Sequence, residues 1–268
     1  MDSFFTVAMA VFAFICGWLM KRIGERFLDK TVGKNVEATA VTVVDKWLEP
    51  AFNSMKNYLM NNNTKEIEEK AGSGDAEALY SLGSMFYFGV GVEQNKNEAL
   101  KYYRMAAEAG NTEAQYNLAY MFYKGDGVVQ DYYEAVRWFR KAADHGDAKA
   151  QYNLAVMYYK GNEVRQDDSE AVKWFRKAAE QGLADAQINL GFMYEYGKGI
   201  AQDYNEAFKW YSKAAEQGNI YAQYNLGCLY ENGRGVRHSH SEAVKWCRRA
   251  AEQGLAEAQK WLTAFGEN

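Results

Sequence analysis

The sequence predicts an all-α solenoid of repeated helix-turn-helix units, preceded by an N-terminal transmembrane helix and a short helical linker. Three observations predict it. A unit starting at Gly74 recurs every 36 residues, at Gly110, Gly146, Gly182 and Gly218, and a truncated copy starts at Gly254. Within the unit the apolar residues keep helical spacing, as in Ala114, Leu118, Met121 and Phe122. The 268 residues contain one proline, Pro50, so nothing interrupts a helix inside the repeats. A fixed period of this size marks a unit that cannot bury its own apolar face and must stack on copies of itself.

Taken in order, residues 1–22 read as a membrane anchor. Ser3 to Met20 carries no charge and reaches the length of a spanning helix, about 18 residues. A cleaved signal peptide is the rival reading. It wants basic residues before the apolar run, and only Asp2 stands there. Ala13-Phe14-Ile15 before Cys16 is a poor lipid-attachment signal, so an uncleaved anchor is favoured. Lys21, Arg22, Arg26, Lys30 and Lys34 all follow the segment, which places the repeats on the cytoplasmic side. Export of the repeats is the alternative.

Residues 23–73 form a helical linker and N-terminal cap. Ile23, Phe27 and Leu28 give a partial stripe, and Pro50 suits the first turn of a new helix. Trp47, Leu48, Phe52, Met55, Tyr58 and Leu59 supply apolar surface to cover the open end of the solenoid; self-association through residues 23–60 is the sharper alternative. Asn61 to Asn63 reads as a hinge. Thr64 to Ser73 reads as a degenerate second helix, with Ile67 in the apolar slot.

Residues 74–268 are the solenoid, with repeats 74–109, 110–145, 146–181, 182–217 and 218–253 and a partial copy at 254–268. The second repeat shows the plan: a first helix Thr112 to Lys124, a loop 125–130, and a second helix Tyr132 to Asp144. Leucine recurs at Leu82, Leu118, Leu154, Leu190 and Leu226. A large aromatic recurs at Tyr102, Trp138, Trp174, Trp210 and Trp246. Small residues (Gly83, Ala119, Ala155, Gly191, Gly227) mark where the two helices touch, with the tryptophan filling the layer beside them. Asp131 with Glu134 reads as a capping box, repeated as Asn95 with Glu98, Asp167 with Glu170, Asp203 with Glu206 and Ser239 with Glu242. Gly110 and its equivalents suit a left-handed residue after each second helix, and Gly125 and Gly127 supply positive φ in the loop. Glu163 stands where the second loop glycine is expected in the third repeat.

The unit GNTEAQYNLAYMFYKGDGVVQDYYEAVRWFRKAADH resembles a Sel1-like repeat in its A-x-x-x-L-G/A run, its G-x-G-V loop, its Q-D-Y-x-E-A segment and its closing K-A-A. The resemblance covers residues 74–268. It implies a tetratricopeptide-like, right-handed α/α superhelix, and an adaptor that holds proteins together, often at membranes or in the bacterial envelope. A single-pass protein of the bacterial inner membrane follows from the resemblance and the anchor together, with periplasmic repeats as the alternative. The chain lacks the cysteines of the disulfide-rich branch of the family.

Repeated residues build a solenoid and variable ones are candidates for recognition. The variable positions of the first helices are spaced 4, 3, 4, a single face. They are Glu113, Asn117, Tyr120 and Lys124; Lys149, Asn153, Val156 and Lys160; Asp185, Asn189, Phe192 and Tyr196; and Tyr221, Asn225, Cys228 and Asn232. The resemblance implies that this face is concave, where aromatic, lysine and asparagine groups suit a peptide or helix of a protein partner. The candidate binding residues are Tyr120, Lys124, Lys149, Val156, Lys160, Asp185, Phe192, Tyr196, Tyr221 and Asn232. Tyr120 and Phe192 have an equal claim as packing residues against Phe139 or Tyr211. The recurring asparagines read as partners of backbone rather than of a ligand. Lys124, Lys160 and Tyr196 are the best candidates for contact.

No catalytic chemistry is legible. No phosphate loop, nucleophile elbow or carboxylate pair appears. The histidines are His145, His238 and His240, with no third ligand to hold a metal, and no cofactor motif is present. The formal net charge of −4 gives no footprint for nucleic acid. Cys228 and Cys247 fill slots held by Phe192 and Tyr211 one repeat earlier, so they are expected to be neighbours. The sequence therefore points to a membrane-tethered scaffold; an immunity or inhibitor protein using the same surface is the alternative, and an enzyme is disfavoured.

Overall fold

A computed structural model describes residues 64–161 and 164–267. Helix α1 spans residues 64–72. Five helix pairs follow: α2 (Ala76–Phe88) with α3 (Lys96–Glu108), α4 (Thr112–Lys124) with α5 (Tyr132–Asp144), α6 (Ala148–Lys160) with α7 (Asp168–Glu180), α8 (Ala184–Tyr196) with α9 (Tyr204–Glu216), and α10 (Ile220–Asn232) with α11 (His240–Glu252). Helix α12 (Ala256–Ala264) opens a sixth unit. Among the described residues there is no strand, and no helix is long and apolar enough to cross a membrane. The expected anchor (1–22), the linker up to residue 63 with its self-association surface, and Glu163 lie outside the described residues.

The helix ends follow from local chemistry. Asn95, Asp131, Asp167, Asp203 and Ser239 each accept a backbone N–H from the first turn of the second helix that they precede. Asp75, Asn111, Asp147 and Asn219 do the same for first helices. Each such cap contributes about 1 kcal/mol. Leu183 and Leu255 provide no side-chain cap. Every first helix of the five pairs stops at a left-handed glycine, for example Gly125 at φ 70° and Gly197 at φ 64°.

The capping box is only half made. Asp131 accepts from Glu134 N, but its own N–H donates to Phe122 O at 3.0 Å, across the loop. Glu134 is thereby released and accepts from Trp138 Nε1 at 3.1 Å; Glu206 and Trp210 repeat the arrangement at 3.0 Å. Trp174 departs from this, its buried Nε1 having no partner.

Each helix packs on the helices before and after it in the chain, so the core is a ribbon rather than a ball. One apolar cluster runs from Ala71 to Leu229, and two smaller ones around Val244 and Ala250 continue it towards α12. The expected role of the tryptophans needs correction. The side chain facing the small residue of the first helix is the next one along: Tyr103 lies against Gly83, Tyr211 against Gly191 and Cys247 against Gly227. The tryptophans lie further out, each beneath a cation: Lys141 Nζ is 4.2 Å from the Trp138 ring, Lys177 4.0 Å from Trp174 and Lys213 4.5 Å from Trp210.

Glycine faces tyrosine while Ala119 and Ala155 share their repeats with Phe139 and Phe175, and this has a physical reason. A Cβ at Gly191 would sit 2.7 Å from the Tyr211 ring, and that ring is pinned because its hydroxyl donates to Glu195 at 2.8 Å. Gly191→Ala is expected to destabilise the fold by about 1–3 kcal/mol through overpacking. Adding Tyr211→Phe frees the ring to shift and should recover most of the loss. Thermal unfolding of the single and double variants checks it; no recovery would mean that the hydroxyl does not fix the ring.

A buried glutamine joins the repeats. Gln151 Nε2 donates to Ala143 O of the preceding second helix at 3.1 Å, and its Oε1 accepts from Gln181 of its own repeat at 2.8 Å. Gln187 repeats this with Ala179 O and Gln217, and Gln223 with Ala215 O and Gln253. In the second repeat His145 Nδ1 lies 3.1 Å from Gln115 Oε1. His145 takes the place that a glutamine holds in later repeats. Each rung thus ties three helices across a repeat boundary.

The second loop glycine is a further joint. A Cβ at Gly127 would come 2.6 Å from Lys96 Cβ, and one at Gly199 or Gly235 would overlap the backbone of Asp168 or Tyr204 in the preceding repeat. All three glycines have positive φ, between 65° and 73°.

Candidate functional site

The first helices share an exposed face, and the variable positions fall on it. Lys124, Lys149, Lys160, Asp185, Tyr196, Tyr221 and Asn232 are exposed, Tyr120 is just exposed, and Val156 and Phe192 are half-buried. Tyr120 stacks on Tyr116 at 6.3 Å, with Lys124 Nζ 5.7 Å from its ring. Phe192 contacts Tyr159 of the preceding repeat at 6.3 Å and Tyr196 at 4.7 Å. The packing partners expected for these two rings, Phe139 and Tyr211, are not the ones found. The contacts run along the row of first helices rather than down into the second.

The asparagines on this face have partners within the chain. Asn189 Nδ2 donates to Asp185 O at 2.7 Å, and Asn117, Asn153 and Asn225 engage the hydroxyls of Tyr103, Tyr116 and Tyr211. Asn232 Nδ2 donates to Cys228 O at 2.7 Å.

Between the first helices of repeats one and two lies an apolar cleft of about 270 Å³. It is walled by Tyr87, Phe88, Tyr103, Tyr116, Tyr120 and Met121. The Tyr87 hydroxyl donates to Asp126 at 2.5 Å, and Asp126 also takes Lys96 Nζ. The Asp126 hydrogen bond, with burial, pushes the Tyr87 hydroxyl up to about 12. Lys96 in turn holds the Asp126 carboxyl below the usual range. Phe88 is 67% exposed, so the cleft has an apolar lip open to solvent. Tyr87 and Phe88 are absent from the residues predicted from sequence. The repeat carried the signal, since Phe88 stands in the column of Lys124, Lys160, Tyr196 and Asn232.

The two sets of helices differ in how their charges are satisfied. On the second helices every Lys and Arg has a partner. Lys101, Arg137, Lys173, Lys209 and Lys245 pair with the glutamate three residues earlier, and Arg248 with Glu267. Lys96 takes Asp126, and Arg140 and Arg176 donate to the hydroxyls of Tyr158 and Tyr194. Arg104, Lys141, Lys177, Lys213 and Arg249 lie over aromatic rings. On the first helices four acids have neutral or histidine partners: Glu77 and Asp185 accept from Asn111 and Asn219, Glu195 from Tyr211, and Glu231 contacts His240; Glu113 stands apart from these. Lys124, Lys149 and Lys160 have no carboxylate within ion-pair distance among the described residues; Lys124 lies over the rings of Tyr120 and Tyr123, and Lys149 and Lys160 lie over none.

Among the described residues the remaining reactive groups are two thiols and a histidine cluster. Cys228 and Cys247 are free thiols close enough to influence one another. Burial and the Cys228 thiol push Cys247 up to about 12, and burial raises Cys228, so both are poor nucleophiles. His240 bridges towards Glu231 and Glu267 and lies against Trp261 and Phe265 of the last helix. No group of three metal-ligating side chains occurs among the described residues.

The Sel1 repeat profile matches five consecutive segments, residues 76–111, 112–147, 148–183, 184–219 and 220–255. The chain belongs to the Sel1 repeat family. The resemblance read from the GxGV loops and the K-A-A ends is thereby shown. Among solved structures the Sel1-repeat chain is similar to a protective antigen of uropathogenic Escherichia coli strains displaying an SLR fold, at 41% identity and a TM-score of 0.71, over 76% of this chain and 44% of that one. It therefore spans less than half of the antigen. It is also similar to a Sel1 repeat protein from Oxalobacter formigenes, at 32% identity and a TM-score of 0.63, over 75% of this chain and 89% of that one. No curated protein matches the chain. Sel1-repeat proteins are generally non-enzymatic interaction scaffolds, and no enzymatic family is indicated.

Proposed function

We propose that this Sel1-repeat chain is a membrane-tethered adaptor that captures a protein partner on the face of its first helices. One observation carries the reading: the first helices present a row of exposed rings, Phe88, Tyr120, Tyr196 and Tyr221, beside Lys149 and Lys160, which have neither a carboxylate nor a ring in contact among the described residues. Surfaces rich in aromatics next to unmatched polar groups are those that gain most from a partner. The tether is the uncharged run of residues 3–20, and the basic residues that follow it favour the inner membrane of a bacterium with the repeats in the cytoplasm. Digestion of the repeats from the periplasmic side in a protease-protection assay would refute that orientation.

Truncating Lys124, Lys160 and Tyr196 together to alanine is expected to reduce capture of the partner in cells at least about tenfold, since such contacts are concentrated in few residues. The melting temperature should stay within about 2 °C, because exposed substitutions cost little. Crosslinking in cells, read by mass spectrometry, measures the first quantity and circular dichroism the second. Equal loss of both would contradict a surface role.

A further inference from the structure

We infer that the partner segment recognised on this face is an extended acidic peptide with an aromatic anchor, bound across repeats one to three. The inference rests on the adaptor reading and deepens it. It starts from a contrast: the chain as a whole carries a net charge of −4, yet the first helices of repeats one to three carry three lysines, Lys124, Lys149 and Lys160, against two acids, Glu77 and Glu113. Lys124 and Lys160 occupy the same column in successive repeats, at the exposed C-terminal ends of α4 and α6. Lys149 adds a third ammonium at the other end of α6. Glu113, at the far end of α4, is the one acid there that accepts no hydrogen bond, and it does not lie in that column.

The same column begins with Phe88, on the lip of the aromatic cleft. The cleft admits one aromatic ring, and its walls of Tyr87, Tyr116 and Tyr120 offer edge and face contacts to it. The column therefore reads as an order: an aromatic residue in the cleft, then an Asp or Glu at Lys124 and another at Lys160. A carboxylate there gains a charge-assisted hydrogen bond to an ammonium that has none at present.

The test uses the full chain in a non-ionic detergent and three short fluorescein-labelled peptides. One carries a tryptophan followed by two aspartates, set apart by flexible Gly-Ser runs. The second has lysines in place of the aspartates, and the third has alanine in place of tryptophan. Fluorescence anisotropy is expected to show the first binding at least about tenfold tighter than either of the others, and weakening as salt is raised. Lys124→Glu with Lys160→Glu should reverse the preference between aspartate and lysine peptides, and Phe88→Ala should weaken all binding, with helix content unchanged. Equal binding of the aspartate and lysine peptides, no binding by any peptide, or no effect of the charge reversal overturns the inference. A crosslinker placed at Tyr196 separates it from the adaptor reading. Crosslinks to a partner that survive the charge reversal leave the adaptor standing and remove the acidic segment. Crosslinks found only from Tyr133, on a second helix, remove both.

Discussion

Gly199→Ala is expected to cost the fold about 2–5 kcal/mol. Alanine in a left-handed conformation is unfavourable by about 1–2 kcal/mol, and forcing atoms into filled space adds about 1–3 kcal/mol. Both terms apply, because Gly199 has φ 65° and its Cβ would overlap the Asp168 carbonyl of the preceding repeat. Gly197, two residues earlier, isolates the first term. Its φ is 64°, but the nearest atom to its Cβ is Gln202 Cβ at 3.4 Å, an ordinary contact. Gly197→Ala should therefore cost only the backbone term. Urea unfolding of both variants measures the difference. Equal losses would show that the loop does not bear on its neighbour, and the proposed joint between repeats would be gone.

Gln187→Leu is the second large effect expected. The substitution keeps volume but removes the donor to Ala179 O and strips Gln217 of its acceptor. Leaving buried polar groups unpaired costs about 1–3 kcal/mol. Gln259 provides the control. It donates to Ala251 O at 3.4 Å, is exposed, and no later repeat supplies it with a second bond. Gln259→Leu should change stability by no more than about 0.5 kcal/mol. Hydrogen exchange at the boundary of α7, α8 and α9 should rise in the first variant and stay put in the second. The same response from both would mean that the rungs are not what holds adjoining repeats together.

The plan of the repeats was legible because period, caps and glycines are each written locally. Thr112 to Lys124 and Tyr132 to Asp144 emerge as helices with the bounds read from sequence, since Asp131 and Gly125 act on backbone within a few residues of themselves. Which of two adjacent apolar residues meets the partner helix is harder. Trp138 and Phe139 differ by about 100° around the axis and both are buried, so composition cannot choose between them. The buried glutamines escaped for a related reason. A glutamine is ordinarily a surface residue, and only the stacking of three helices shows that Gln151 is enclosed and bonded at both ends. On the candidate site, the 4, 3, 4 spacing placed the stripe on one face, yet the contact of Phe192 with Tyr159 crosses a repeat boundary and is set by how units stack. The unmatched lysines were visible as residues, but the absence of acids around them is a property of the folded surface.

The glutamine rung also bears on how such a chain changes over generations. The rungs at Gln151, Gln187 and Gln223 use the same atoms, offset by one unit, so excising or duplicating one such unit in phase recreates the joint on either side. Copy number can therefore drift without exposing an unsatisfied amide, whereas a deletion out of phase breaks a rung at once. The reach of the surface is thus a quantity that selection adjusts in whole steps.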